Sequence, residues 1–190
     1  RHSYSHSATL RYLKSRNIDA EIESLTPRNR TEGIIEELAN RYQRSEQDTI
    51  AIIPVLNTLE GRVKETIGPG RGLVKYHPKV KISGEYWLKI EHCLVSKGSL
   101  KDVTEIVSHP QGLGQCSKYI EDLGLKTREA RSTSEAAEIA SKDESGKTAA
   151  ICSEDAASAY GLNVLAKDIA DRFDESSGNW TRFFALSKMD

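Results

Sequence analysis

The sequence predicts an α/β fold, because short apolar runs of strand length alternate with segments whose apolar residues recur at helical spacing. A second observation supports the first: several expected helix starts carry explicit capping residues. Strands are expected at 48–55, 80–82, 86–94, 103–108, 149–152 and 182–186. One helix follows Ile34, Ile35, Leu38 and Tyr42, a second Leu113, Cys116, Ile120 and Leu123, and a third Ala136, Ala137, Ile139 and Ala140. Gly124 ends the second, since glycine takes the left-handed C′ conformation without steric penalty. Ser132 and Glu135 stand in the capping-box relation, and Asn29 and Glu32 repeat the spacing. Ser108-His109-Pro110 closes a strand and opens a helix with proline first, where its missing N–H is harmless. Such helix starts favour anions, because free N–H groups and the macrodipole both present positive charge. The Gly- and Pro-rich stretch 66–78 is expected to be a flexible surface connection near a lobe boundary, 142–147 a turn, and 171–178 an exposed loop.

At 190 residues the chain fits one domain, or two small lobes sharing a cleft, and is long enough to bury a core. Its 27 Lys and Arg against 28 Asp and Glu give a net charge of −1, so no basic surplus marks a nucleic-acid partner. A small anionic substrate remains compatible, since one local cationic pocket does not show in the total. The three cysteines, Cys93, Cys116 and Cys152, are odd in number, far apart and set in apolar runs. They read as reduced core thiols of a cytoplasmic protein and not as disulfides or a zinc site. No apolar stretch approaches the ~18–20 residues of a membrane span, and no signal peptide opens the chain.

Six separated segments then point to one family. They are Tyr4-Ser5-His6-Ser7-Ala8; Ile53-Pro54-Val55-Leu56-Asn57-Thr58-Leu59-Glu60-Gly61; and Gly84-Glu85 with Ile90-Glu91-His92-Cys93-Leu94. The others are Ser108-His109-Pro110-Gln111 with Gln115-Cys116; Ser132-Thr133-Ser134-Glu135-Ala136-Ala137; and Asn179-Trp180-Thr181-Arg182-Phe183, preceded by Tyr160-Gly161-Leu162 and Val164-Leu165-Ala166. In order and content they resemble the prephenate dehydratase family, whose last signature reads Asn-x-Thr-Arg-Phe. The resemblance implies two α/β lobes around a hinge, similar to type-2 periplasmic binding proteins, with the active-site cleft between them. Lobe one would hold about 1–82 plus 164–190, and lobe two about 83–163. It also implies prephenate as the small-molecule substrate, no cofactor, no metal, and a homodimer.

Prephenate carries two carboxylates and a ring hydroxyl that leaves as water while the ring carboxylate leaves as carbon dioxide. A site must hold two anions, assist hydroxide departure and keep water out, through pre-organised hydrogen bonds and modest acid help. The resemblance makes Thr181 the donor to the departing hydroxyl, a role that needs a low-dielectric setting. Asn57 and Thr58 follow a buried-looking strand and join it as catalytic candidates; an Asx turn is the competing reading of Asn57. Arg182 offers a bidentate fork for a carboxylate, against the reading of a surface ion pair, and Phe183 packs and orients its neighbours in the substrate-binding set. Ser132, Thr133 and Ser134 combine hydroxyls with helix N–H groups as a carboxylate cradle, or simply cap the helix. Ser5 and His6 complete the substrate-binding candidates at another helix start. His109 reads as a mark of its strand-to-helix turn, and His92 as a satisfied core histidine.

The chain departs from the family pattern at three places. Arg1-His2-Ser3 stands where the family has its glycine turn, Leu56 where an acidic residue precedes the Asn, and Thr58 where the family has Ser. The chain also stops soon after Thr181-Arg182-Phe183, so the regulatory ACT domain of many members is expected to be absent. Three other readings stay open: an arogenate dehydratase, a prephenate decarboxylase that leaves the hydroxyl in place, and a ligand-binding paralogue without turnover.

Overall fold

The computed structural model describes residues 3–23, 30–43, 49–76, 79–171 and 178–189. The helices are α1 (Tyr4–Ser15), α2 (Arg30–Gln43), α3 (Lys64–Ile67), α4 (Gly72–Tyr76), α5 (Pro110–Gln115), α6 (Ser117–Leu123), α7 (Thr133–Lys142) and α8 (Glu154–Ala159). The strands are β1 (Ala51–Asn57), β2 (Gly61–Arg62), β3 (Val80–Lys89), β4 (Cys93–Ser96), β5 (Glu105–Ser108), β6 (Lys126–Glu129), β7 (Thr148–Cys152), β8 (Asn163–Ala166) and β9 (Trp180–Lys188). They divide into two compact units, one built on Ser5–Lys89 with the C-terminal strand, the other on Ile90–Gly178 with Tyr4. The boundaries expected near 82 and 164 fall inside β3 and β8. The reason is pairing: β3 stays on β9 from Val80 to Lys89, while β8 pairs with β4 in the other sheet.

The first unit is a four-stranded antiparallel sheet, ordered β2-β1-β9-β3. Successive side chains alternate between its two faces. On one face Ala51, Ile53 and Leu186 pack on Ile35, Leu38 and Ala39 of α2. On the other, Ala185 packs on Tyr12 and Leu13 of α1. The strands expected at 80–82 and 86–94 are recast accordingly. A single β3 carries a bulge between Ile82 and Gly84, and β4 begins only at Cys93.

The second unit holds a five-stranded sheet, ordered β6-β5-β7-β4-β8, with β5 parallel to both β6 and β7. Its central strands are covered on both faces, as parallel strands with helical crossovers require. Val95, Val107, Ala150 and Cys152 pack with Ala136, Ala137 and Ala140 of α7. Leu94, Ile106, Ala149 and Ile151 pack with Cys116 and with Ile120 of α6. The helix expected to run from Leu113 to Leu123 is two helices. Cys116 sits between them at φ −121° and ψ 21°, outside helical geometry, while keeping its side chain in the core. Gly124 closes α6 in the left-handed region at φ 62°, as expected.

Two other expectations change. Within the expected connection, positions 66–76 are not loose, because they contain the end of α3 and all of α4. Thr66 is fully buried and donates to the Pro54 carbonyl at 2.6 Å, which ties α3 to β1. Strand β6, Lys-Thr-Arg-Glu, was invisible to apolar patterning because all four residues are exposed; backbone pairing to β5 alone defines it. Arg1, His2, Asn29 of the second capping pair, Asp48, His77, Pro78 and positions 172–177 of the expected loop lie outside the described residues.

Two predictions follow from the packing. Gly72 has φ +48°, and a Cβ there would collide with the carbonyl oxygens of Glu65 and Thr66. Gly72→Ala is therefore expected to destabilise the protein by about 1–3 kcal/mol in denaturant titration. Burial pushes the Cys116 and Cys152 thiols up to about 12, on the thiol and not the thiolate side at pH 8. In native protein both should react with iodoacetamide on the order of a thousandfold more slowly than in urea-unfolded chain, as read by mass spectrometry.

Candidate functional site

Antiparallel register brings a buried polar cluster together at one end of the first sheet. Asn57 ends β1, and its Cα partner across the ladder is Thr181, the second residue of β9. Asn179, two positions before Thr181, lies just ahead of the strand. All three side chains are at least nine-tenths buried. Asn57 Nδ2 donates to Asn179 Oδ1 at 2.7 Å and to Thr181 Oγ1 at 3.0 Å. Asn57 Oδ1 accepts from the backbone N–H groups of Leu59 at 2.9 Å and Glu60 at 3.0 Å. The Asx turn thus uses the oxygen end of the Asn57 carboxamide, and the side-chain cluster uses the nitrogen end.

Thr58 extends the pairing by one residue. Its N–H donates to the Trp180 carbonyl at 2.9 Å, and its Oγ1 accepts from the Trp180 N–H at 2.9 Å. The hydroxyl substitutes for a ladder carbonyl and fixes the backbone between Asn179 and Thr181. Phe183 is buried two residues after Thr181 and opposite Tyr86, on the face that packs on α1.

Arg182 points the other way, because adjacent strand residues face opposite sides of a sheet. It lies opposite Leu56 on one side and Trp87 on the other. Its Nε donates to Glu85 Oε2 at 2.9 Å, and its guanidinium carbon stands 4.9 Å from the Phe184 ring centre and 5.7 Å from that of Trp87. Leu56 shares this face and not that of Thr181.

Ser5 and His6 sit in the first turn of α1, in the first unit, with the Ser5 carbonyl accepting from Thr9 Oγ1 at 2.9 Å. Ser132, Thr133 and Ser134 belong to the second unit. Ser132 is the N-cap of α7 and accepts from Glu135 N–H at 3.0 Å. The capping box is shifted by one residue, since Glu135 Oε2 accepts from the Arg131 N–H at 2.6 Å and not from that of Ser132. The Glu135 carboxyl is held below the usual range by its bonds from Arg131. His109 caps α5, accepting from Gln111 N–H at 3.2 Å through Nδ1. Three helix starts, capped by His109, Ser132 and Ser153, thus follow the C-terminal ends of the mutually parallel β5, β6 and β7. Ligands of open α/β sheets bind at this kind of edge.

His92 is a satisfied core histidine. Its Nε2 lies 2.8 Å from Gln115 Oε1 and its Nδ1 3.0 Å from Tyr4 Oη, which also lies 2.9 Å from the Glu91 carbonyl. Burial pushes the Tyr4 phenol well above its ordinary value, so it is a neutral donor. Among the described residues no group of three or more His, Cys, Asp or Glu is placed to hold a metal ion. Asn179 is the residue to which the sequence assigned no role. Its signal was the spacing of two from Thr181, which puts both on one face of a strand.

The family model described as prephenate dehydratase matches residues 1–190. A bifunctional chorismate mutase/prephenate dehydratase of Aquifex aeolicus is 37% identical over 142 residues, covering 73% of this chain and 36% of that protein. The chain thus spans about a third of the length of the first curated relatives it matches. A solved structure described as a novel type of quorum quenching acylase is 25% identical with a TM-score of 0.74, covering 100% of this chain and 62% of that one. Prephenate dehydratase of Arthrobacter aurescens, solved with L-Phe, is 23% identical with a TM-score of 0.74 over 100% of this chain and 58% of that chain, and shares the fold. Since the family model takes in every residue, this chain belongs to the prephenate dehydratase family.

Proposed function

We propose that this chain carries the decarboxylating dehydration of prephenate to phenylpyruvate, carbon dioxide and water, in phenylalanine biosynthesis. In that reaction the bond from ring to carboxylate breaks, its electron pair enters the ring, and the C–OH bond opposite breaks. The leaving oxygen takes up a proton and departs as water. Carbon dioxide release and aromatisation drive the change, so the protein's task is to orient the ring and stabilise the departing hydroxyl. The observation that carries the reading is the buried Thr181 hydroxyl, which accepts a hydrogen bond from Asn57. That bond leaves its own O–H as the donor for the leaving oxygen.

Arg182 is given a different part from the one its residue type suggested. Its side chain engages Glu85, Trp87 and Phe184 on the face opposite Thr181, which supports a sheet-stabilising role. We assign the capacity to hold a carboxylate instead to hydroxyls beside N–H groups at helix starts, each taken by itself: Ser5 with His6 on α1 in the first unit, and Thr133 with Ser134 on α7 in the second. Thr58 is assigned to fixing the backbone that carries Thr181. The buried thiols support a reducing, cytoplasmic setting, and a homodimer is the assembly we assign, open to sedimentation analysis.

Incubation of the protein with prephenate and, separately, arogenate tests the activity by product mass and ultraviolet absorbance. Phenylpyruvate from prephenate is the expected result. Phenylalanine from arogenate alone would assign the amine substrate, and a product retaining the hydroxyl would assign a non-aromatising decarboxylase. Tight prephenate binding without any product would assign a binding paralogue. Thr181→Ala is expected to lower kcat by about 10²–10⁴-fold, the range of a lost general acid. Arg182→Met should stay within about threefold of wild-type kcat/KM, since its partners are half-exposed side chains on the other face. A collapse in the Arg182 variant, with folding intact, would return the guanidinium to the substrate.

A further inference from the structure

We infer that Asn57 and Asn179 are positioning residues that aim the Thr181 hydroxyl and do not themselves hold the substrate, an inference that rests on the dehydratase reading above. A carboxamide has two N–H donors and two acceptor lone pairs. In Asn57 all four are engaged by the protein, with Leu59 and Glu60 N–H on Oδ1 and with Asn179 Oδ1 and Thr181 Oγ1 on Nδ2. The two backbone donors also settle which amide atom is oxygen. A ligand oxygen could reach Asn57 only by displacing one of these partners, at the expense of a buried polar group.

The bonds share one direction. Backbone N–H groups polarise Asn57 Oδ1, its amide donates to Thr181, and a hydroxyl that accepts a hydrogen bond becomes a stronger donor. Thr181 thereby sends its own proton away from Asn57. Asn179 completes the device by accepting the second Nδ2 hydrogen at 2.7 Å. Without that acceptor a buried N–H would be left to seek another partner, and the amide would be free to turn off Thr181. The ladder makes the spacing rigid: Asn57 and Thr181 are direct cross-strand partners, and Thr58 grips Trp180 between Asn179 and Thr181. Sequence separation hides this arrangement, since the asparagines lie 122 positions apart.

Steady-state kinetics with prephenate on the whole chain test the inference, with thermal melts reporting folding. Asn179→Ala should lower kcat roughly 10- to 100-fold with KM within about twofold, since misaimed donors are felt in the transition state. Asn179→Asp, which keeps an acceptor oxygen, should recover most of the rate. In a Thr181→Ala background, Asn179→Ala should change the rate by less than about twofold, because residues acting through one group are non-additive. Should Asn179→Ala fail to fold, Asn57→Asp replaces it, keeping the acceptor for Leu59 and Glu60 while removing both donated bonds; the same loss of kcat at unchanged KM is expected. A raised KM at unchanged kcat, or multiplicative losses with Thr181→Ala, overturns the inference. If Thr181→Ala is too slow to measure, the kcat and KM split with rescue by Asp decides alone. Wild-type turnover with an indifferent Asn179→Ala overturns this inference only, whereas wild type without phenylpyruvate formation overturns the dehydratase reading on which it rests.

Discussion

Strand β9 enters the first sheet between β1 and β3, and its hydrogen bonds on both edges join those two strands into one sheet. Its Ala185 and Leu186 turn in opposite directions, one onto α1 and the other onto α2, so a single strand supplies apolar surface to both cores. Its first residues meet the end of β1, and there the alternation changes character. Where Ile53 and Phe184 face each other in the middle of the ladder, Asn57 and Thr181 face each other at its end. Polar groups are affordable there because each finds a partner, and their burial makes those partners matter.

The bulge in β1 between Pro54 and Leu56 sharpens this division. It shifts the register by one residue, which places Leu56 against Arg182 and Asn57 against Thr181. A one-residue slip would exchange the faces and bring Leu56 to the polar cluster. Leu56 therefore falls beside a guanidinium already matched by Glu85 and flanked by two rings. An apolar side chain suits that setting, and the polar cluster on the far face keeps its full set of bonds.

The second unit solves a different problem with different means. Its central strands are apolar on both faces, so helices must cover both, and each crossover helix begins where a parallel strand ends. The starts at His109, Ser132 and Ser153 all use a side-chain acceptor on the first free N–H groups. Capping and anion recognition draw on the same orphan donors; a side chain occupies some of them and leaves the first-turn hydroxyls of Thr133 and Ser134 beside the rest.

Local chemistry was legible in the sequence: the α/β class, the helices along Ile34 to Leu38 and Ala136 to Ala140, the Gly124 stop, the Ser132 cap, the buried thiols and the family signature. These depend on residues within a few positions of one another, where periodicity and capping leave a direct mark. What escaped depends on pairing between distant segments. The exposed β6, the continuity of β3 through its bulge, the short helices of 66–76 and the break at Cys116 are settled by hydrogen bonds and packing that no local pattern encodes. The site divides along the same line. Sequence alone named Thr181, Asn57 and Arg182 as residues of the right chemistry. Only the antiparallel register decided that Thr181 and Asn57 share a face with Asn179 while Arg182 looks the other way, because side-chain direction in a sheet is set by which residue stands opposite which.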